Sequence, residues 1–336
     1  MALTVGGLKA QPGAADQPDN FILLGDEYYE MGIYHRSLES YSSALSTWMV
    51  DHDYREMGNC FINIGKVYLK LGLHDLSLQN FEQAAIIFQE HGLSGKLAET
   101  YNYIGLSYDG KSDYDAGMQY YNDVLDLPAD SVSQEVRATT YSNIAGIFLH
   151  SGDTRMSKEF INRAMGIYDR IDDSIGIARL QIMLGELDRQ AGDYESALQK
   201  YVIARDLYFA LDHNKGIAET LLLQAETLMA LQQIEEALQL TNHAMSLGQE
   251  HNYLEIIKDS YLLLSDLYSM LDDIHQSHAF YLQYSALKDT VYSEKLSNAI
   301  AETETRRAFL HYDINIDQLE DERRSERNTR WFVIIF

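Results

Sequence analysis

The sequence is poor in the residues that interrupt helices or cross-link a chain. It contains three prolines and one cysteine in 336 residues. Pro12 and Pro18 lie before residue 20, so Pro128 is the only proline in the remainder of the chain. Because proline removes a backbone donor and breaks helices, this scarcity predicts nearly continuous helix. The lone Cys60 excludes an intramolecular disulfide and any site built from several thiolates, and we interpret it as a small packing residue.

Basic residues are also few relative to acidic ones. Lys and Arg number 26 and Asp and Glu number 51, which gives a formal net charge of −25. A charge of this sign repels phosphate backbones and anionic membrane surfaces, so we expect no nucleic acid among the partners. It favours solubility and would favour a basic or cationic peptide as ligand.

Motifs that carry catalytic chemistry are missing from the sequence. It has no Gly-rich phosphate loop, no His-Glu-x-x-His and no Gly-x-Ser-x-Gly. His275 and His278 have the i, i+3 spacing of some metal sites, but without a nearby cysteine or third histidine we interpret them as solvated helix residues. The acid pairs 172–173 and 272–273 fit helix caps better than catalytic dyads. We predict a non-enzymatic chain without a metal or cofactor.

A 40-residue period runs through most of the chain. Four positions of each copy carry a recurring residue type, and seven copies keep the same register without insertion or deletion. The small position holds Gly25, Gly65, Gly105, Ala145, Gly185, Ala225 and Ser265. Three residues later stand Tyr28, Tyr68, Tyr108, Phe148, Asp188, Leu228 and Tyr268. Twelve residues later stand Ser37, Ser77, Gly117, Ser157, Ala197, Ala237 and Ser277, and sixteen later Tyr41, Phe81, Tyr121, Ile161, Tyr201, Thr241 and Tyr281. A fixed period of this length predicts an array of stacked helical hairpins.

Turn signals separate two helices within each copy. Gly72 followed by Asp75, and Gly192 followed by Asp193, fit a helix end and the next helix start. The pattern resembles the tetratricopeptide repeat, with small-x-x-Tyr on its first helix, helix A, and Ala-x-x-x-Phe-x-x-Ala on its second, helix B. The resemblance covers about residues 21–290 and implies an all-α fold, a right-handed superhelical solenoid of seven antiparallel helix pairs. The family period is about 34 residues, so we expect both helices to be longer by roughly one turn or less.

The predicted domain organisation has four parts. Residues 1–20 read as a flexible segment, and the alternative that they are the remnant of a signal peptide stays open. The predicted copies span about 21–51, 54–91, 94–127, 132–170, 173–211, 214–250 and 253–290. Residues 291–330 lack Gly and Pro and are predicted as one long charged helix. Its partial apolar seam, which includes Leu296 and Ile300, gives a coiled-coil signal through which two copies would form a homodimer.

The last residues, 331–336, begin with Trp331 and are otherwise apolar, as at the start of a membrane span. Six residues cannot cross a bilayer, which needs about 20. The order of array, charged helix and span resembles the sensor region of bacterial membrane-anchored histidine kinases and transcription regulators with tetratricopeptide repeats. That resemblance implies an extracytoplasmic, membrane-anchored array. Arg323, Arg324, Arg327 and Arg330 would instead favour a cytoplasmic side, and a free cytoplasmic scaffold that assembles other proteins is the alternative.

In the tetratricopeptide family, helix A lines a concave peptide-binding groove. Carried over to this chain, the resemblance implies the groove residues Asn59, Asn63, Lys66, Asn102, Tyr103, Leu106, Ser142, Asn143, Arg179, Met183, Glu186 and Arg189. Asn63 and Asn143 match the family's usual anchor for a peptide backbone, since an amide both donates and accepts. The alternative is that these two amides only cap polar gaps between helices. The predicted function is the binding of a protein or peptide segment, as the input module of a signalling protein.

Overall fold

The computed structural model describes residues 18–291, residue 293 and residues 296–305. This part of the chain is helical throughout and holds no strand. In chain order the helices are α1 (Pro18–Met31), α2 (Tyr34–Val50), α3 (Tyr54–Lys70), α4 (His74–Glu90), α5 (Ser94–Gly110), α6 (Tyr114–Asp126), α7 (Gln134–His150), α8 (Thr154–Tyr168), α9 (Ser174–Gln190), α10 (Tyr194–Ala210), α11 (Asn214–Ala230), α12 (Ile234–His251), α13 (Leu254–Met270), α14 (Ile274–Val291) and α15 (296–305). The odd-numbered helices to α13 are the A helices of seven copies, and the even-numbered ones to α14 are their B helices.

A unit of one helix and one tight turn, 20 residues long, builds the array. Nine of the fourteen helices from α1 to α14 are 17 residues long. The chain enters the left-handed region at 20-residue intervals, at Gly32, His52, Gly72, Gly92, Ser112, Gly152, Asp172, Gly192, Asp212, Gln232, Asn252 and Asp272. Two such units make the 40-residue period. The excess over a period of about 34 is six residues, or three for each helix, which agrees with the predicted lengthening of less than a turn.

The turns close one helix with backbone hydrogen bonds, and several of them also start the next helix with a side-chain cap. Gly72, at φ 72°, donates its N–H to the Leu69 carbonyl at 3.0 Å, and Leu73 donates to Tyr68 at 2.9 Å. This pair of bonds satisfies carbonyls at the helix end. In the pair 172–173, Asp172 adopts the left-handed conformation and the Asp173 carboxylate caps α9 by accepting from the Gly176 N–H. The predicted role of that pair as a cap is confirmed.

One connection departs from the 20-residue unit. The helix α6 ends after 13 residues, and Leu127 is extended at φ −63° and ψ 148°. Because proline forces the preceding residue out of the helical region, Pro128 sets this end. The break predicted at Pro128 is therefore present, and α7 begins again at Gln134.

Within a copy, an aromatic ring of helix B lies directly over a glycine of helix A. A Cβ atom placed on the glycine would come within 2.4–2.5 Å of the ring in the pairs Gly25–Tyr41, Gly65–Phe81, Gly105–Tyr121 and Gly185–Tyr201. Where the small residue is alanine, the partner is smaller: Ala145 pairs with Ile161 and Ala225 with Thr241, all four fully buried. The absence of an aromatic at Thr241 thus matches the extra methyl of Ala225.

The residue twelve positions after the small residue faces the backbone of helix A. The Ser37 hydroxyl donates to the Gly25 carbonyl at 3.0 Å, and the Ser157 hydroxyl donates to the Ala145 carbonyl at 2.9 Å. A Cβ on Gly117 would lie 3.1 Å from the Gly105 carbonyl oxygen. The helices approach so closely here that only a small side chain fits.

The array closes on itself. The Lys215 ammonium in the sixth copy forms a 2.7 Å ion pair with Glu30 in the first copy. A Cβ placed on Gly32 would lie 3.5 Å from the Leu254 Cβ at the start of the seventh copy. The first copy therefore contacts the last two, and the inner face of the array is enclosed as a channel.

The segment after the array differs from the prediction of one helix over 291–330. Val291 ends α14, Ser293 is not helical, and α15 starts anew with the Ser293 carbonyl accepting from the N–H groups of Leu296 and Ser297. Serine is among the residues favoured at a helix start. Instead of continuing α14, α15 packs on the first copy. The remaining coiled-coil positions, residues 306–336 with Trp331, and residues 1–17 lie outside the described residues.

The contact between ring and glycine predicts a matched pair of glycine substitutions. Gly65→Ala should lower the free energy of unfolding by about 1–3 kcal/mol, because the added methyl would overlap the Phe81 ring in a packed core. Gly166→Ala is the control: Gly166 is helical and exposed, with nothing within 4 Å of an added Cβ, so alanine should stabilise by up to about 1 kcal/mol. Urea denaturation followed by circular dichroism measures both. Equal effects of the two changes would contradict a spacing set by this contact.

Candidate functional site

Three neighbouring cavities follow the inner face of the array from the second copy to the fifth. The first, of about 290 Å³, lies between α3 and α5 and includes Asn63 and Lys66. The second, of about 500 Å³, is lined by α5, α7 and the start of α9. The third, of about 290 Å³, continues between α7 and α9. Tyr103 lines the first two cavities and Asn143 the last two, so the three form one continuous channel surface.

Ten of the twelve predicted groove residues line these cavities. They are Asn59, Asn63, Lys66, Asn102, Tyr103, Leu106, Ser142, Asn143, Arg179 and Met183. Glu186 and Arg189 lie elsewhere and pair with each other, with two bonds of 2.7 and 2.9 Å. Glu186 also accepts from the Tyr201 hydroxyl at 3.4 Å. Those two charges therefore already neutralise each other on α9.

Two side-chain amides in the second cavity have unused hydrogen-bonding atoms. Asn102 is only 4% exposed, and its Oδ1 has no hydrogen-bond partner among the described residues. The Nδ2 of Asn143 is likewise buried and has no partner in that part of the chain. An unpaired buried polar atom costs about 1–3 kcal/mol. A ligand that donates to one amide and accepts from the other would remove both penalties.

Two cations of the channel form no ion pair with a described residue. Burial lowers the pKa of Lys66, while Asp26 and Glu30 act in the opposite direction, and its ammonium lies 5.5 Å from the centre of the Tyr29 ring. Arg179 lines the second and third cavities. Burial raises the pKa of Tyr103, and the charge of the Arg179 guanidinium acts in the opposite direction. Both cations are available to an anionic group.

The third cavity adds an apolar wall and a charged edge. Leu106, Leu149 and Met183 line it, which suits an apolar side chain. At its edge, His150 Nδ1 lies 3.0 Å from the Asp109 carboxylate, and this bond raises the pKa of His150. The arrangement offers backbone anchoring, a cation and an apolar surface, which are features of a binding site.

Residues singled out for chemistry lie apart from the channel. His275 and His278 are exposed on α14, in agreement with solvated helix residues. Cys60 is fully buried, and burial raises the pKa of its thiol. Within the described ranges, no group of three or more His, Cys, Asp or Glu residues could hold a metal ion.

The groove mapping missed a cavity-lining tyrosine at the end of a B helix, Tyr168, whose counterpart one period later is Tyr208. Tyr168 lines the third cavity and its hydroxyl lies 3.1 Å from Thr139 Oγ1. Burial raises the pKa of Tyr208, and the charge of Arg179 acts in the opposite direction. A signal was available, because both stand 40 residues apart and each precedes by eight residues a glycine that its ring covers, Gly176 or Gly216.

Comparisons with known proteins agree with this architecture. Two tetratricopeptide repeat family models match the chain, over residues 98–131 and 136–208. No curated protein matches it by sequence. Among solved structures, a Rap protein complexed with Competence and Sporulation Factor is 13% identical with a TM-score of 0.63, covering 82% of this chain and 75% of that one.

Two further structures are similar in fold. The Rap conjugation gene regulator of the plasmid pLS20, in complex with the Phr* peptide, is 16% identical with a TM-score of 0.62, covering 88% of this chain and 82% of that one. The apo form of the quorum sensor NprR from B. thuringiensis is 16% identical with a TM-score of 0.56, covering 79% and 80%. Identities this low show the fold alone. The family models show tetratricopeptide repeats over residues 98–131 and 136–208, and the evenly stacked helix pairs agree with that type of repeat.

Proposed function

We propose that the chain binds an extended peptide segment in its inner channel and has no catalytic role. The observation that carries the proposal is the pair of unused amide atoms, Asn102 Oδ1 and Asn143 Nδ2, in one cavity of about 500 Å³. A peptide backbone supplies both a donor and an acceptor, so one bound segment satisfies both amides. Two of the structures similar in fold are complexes, one with Competence and Sporulation Factor and one with the Phr* peptide.

The bound segment carries a carboxylate beside an apolar side chain. Arg179 provides the cation for the carboxylate, and the wall that includes Leu106 and Met183 accommodates the apolar group. The net charge of −25 favours a cationic ligand at long range. Salt screens exposed charges beyond about 8–10 Å, so the charges that line the second cavity decide which group is preferred at contact. Glu99 and Glu135 line it beside Arg179, and the Glu99 charge is already paired with Lys96.

The finer role that we propose is the input part of a membrane-anchored signalling protein. One structure similar in fold is named a quorum sensor. None of the helices in the described part of the chain is long and apolar enough to cross a membrane. The span proposed from Trp331 and the extracytoplasmic location therefore depend on residues outside that part. A dimer through 291–330 would have to use residues after 305, because Leu296 is buried against the first copy.

Reading the gene beyond codon 336 tests this finer role. An apolar stretch of about 20 residues followed by an output domain is the expected result. A stop codon at that point would leave the alternative, a free cytoplasmic scaffold that assembles other proteins. Peptide binding in the channel does not depend on this outcome.

Replacing the two amides should weaken peptide binding without unfolding the array. A synthetic library of heptapeptides with free and amidated C termini is screened, and the tightest peptides are titrated by calorimetry. Asn102→Ala with Asn143→Ala should raise the Kd about 10- to 100-fold, because each lost hydrogen bond is worth about 0.5–1.5 kcal/mol.

The matched control replaces two exposed asparagines on B helices, Asn122→Ala with Asn162→Ala, and should leave the Kd unchanged. Thermal melts of both variants should keep the wild-type midpoint or exceed it. A library in which no peptide binds, or equal affinity in both double variants, would refute the proposed channel.

Removing the Arg179 charge should change which peptides bind. Peptides selected by the wild type should be enriched in Asp, Glu or a free C-terminal carboxylate. Arg179→Gln should weaken these about tenfold or more, since hydrogen bonds to charged groups are worth about 1.5–3 kcal/mol. Their Asp→Asn, Glu→Gln or amidated counterparts should bind both proteins alike.

Arg163→Gln is the control for this change, because Arg163 is exposed on α8 and pairs with Glu159. It should leave the selection unchanged. The Asn, Gln and amidated counterparts separate a side-chain carboxylate from a terminal one. Binding without any preference for carboxylates would disprove the role of Arg179 and leave the channel itself standing.

A further inference from the structure

One position of the first B helix is buried although the matching position is exposed in most other copies. The docking face consists of Leu38, Ser42 and Leu45 on α2, which are 0%, 4% and 2% exposed. The residues one or more periods after Ser42 include Glu82, Asn122, Asn162 and Asn242, and all four are exposed. Stacking of the copies therefore does not account for the burial of Ser42.

The helix α15 covers the docking face. Leu296 and Ala299 are 4% and 3% exposed and belong to the same apolar cluster as Leu38 and Leu45. The Thr303 and Ser42 hydroxyls lie 3.2 Å apart, and the Tyr68 hydroxyl donates to Glu304 at 3.1 Å. Packing and polar contacts together give this interface a defined register.

The helix α15 is amphipathic, and its apolar face is the one that contacts α2. The buried residues 296, 299 and 303 have i, i+3, i+7 spacing, whereas 297, 298, 301 and 305 are exposed. Residues with this spacing share one face of a helix. Only four residues separate the end of α14 from the start of α15, so a short connection suffices to carry the chain from the last copy to the first.

The contact between α15 and α2 joins the last copy of the array to the first. The helix α14 belongs to the seventh copy and α2 to the first, and the Lys215–Glu30 ion pair and the contact of Gly32 with Leu254 join the same ends. The ion pair is half exposed on its Glu30 side, and exposed pairs add little to stability. The apolar contact of α15 with α2 is therefore the stronger connection between the ends.

We propose that the docking face is a binding surface for an amphipathic helix, that its occupant is α15 of the same chain, and that docked α15 is a clasp that keeps the array closed. The short connection gives α15 a high effective concentration, in the millimolar range for short linkers. A modest contact then suffices to keep it docked. The clasp does not depend on what the channel binds.

Two alanines on α15 allow a matched test of the clasp. Ala299→Asp places a charge in the buried contact, whereas Ala301→Asp makes the same change at an exposed position. Docking is reported by disulfide formation between Ser42→Cys and Thr303→Cys, whose native hydroxyls are 3.2 Å apart. The native Cys60 is fully buried and does not compete.

Closure is reported separately, by hydrogen exchange of the turns at 32–33 and 252–253. With Ala299→Asp the cross-link should form at least tenfold more slowly and exchange in both turns should rise, whereas Ala301→Asp should match the wild type. A fluorescein-labelled synthetic peptide of residues 293–305 should bind the Ala299→Asp protein at least tenfold more tightly than the wild type, and should restore slow exchange. That restoration also shows that the docking face remains folded.

The proposal is overturned by any of three results. The first is that the cross-link fails to form in the otherwise wild-type protein. The second is that it forms equally fast in both aspartate variants. The third is that it is lost in Ala299→Asp while exchange in the turns stays slow. The last result would make α15 a docked segment without a role in closure.

Discussion

An aromatic ring over a glycine sets the distance between the two helices of a copy, and the rest of the array depends on that distance. A Cβ on Gly65 would lie 2.5 Å from the Phe81 ring, so even one added carbon requires a shift. In the fourth copy, Ala145 is matched by the smaller Ile161, which keeps the shared volume similar. Each copy contacts mainly its neighbours, so a repeated distance gives a repeated rotation. The enclosed channel follows from that regularity.

The parts of the fold that were predicted depend on contacts close in sequence. The 40-residue period predicted the helix pairs and their length, and Gly72 predicted a turn, because hydrogen bonds four or five residues apart decide these features. The closure of the array was not predicted, since Lys215 and Glu30 are 185 residues apart. The packing of α15 on α2 was not predicted for the same reason. Nothing around residue 293 reveals that Leu38 and Leu45 on α2 need a covering helix.

For the candidate site, too, the features set by local helix geometry were predicted and the long-range contacts were not. Helix position alone determines which side chains face inward, so the mapping placed ten of the twelve groove residues at cavities. Helix position does not reveal whether a side chain already has hydrogen-bond partners within the protein. Glu186 accepts from Arg189 and from the Tyr201 hydroxyl, and the helix position alone does not predict these partners. Tyr168 was missed because it belongs to a B helix, whereas the family pattern places the groove on helix A.

In the first and second copies the ring that packs on the glycine is matched to the residue beside it, whereas in the third copy the Tyr121 hydroxyl has no partner among the described residues. The residue after the small position lies near the ring of the same copy, and Asp26 accepts from the Tyr41 hydroxyl at 2.6 Å. In the second copy the ring is Phe81, which has no hydroxyl and requires no acceptor, and the corresponding residue is Lys66. The absence of one hydroxyl thus allows a cation on the inner face of a chain whose net charge is −25. An acid at position 66 would have no tyrosine to bond and would repel a ligand carboxylate, so the ring that spaces the helices also governs which groups the channel attracts.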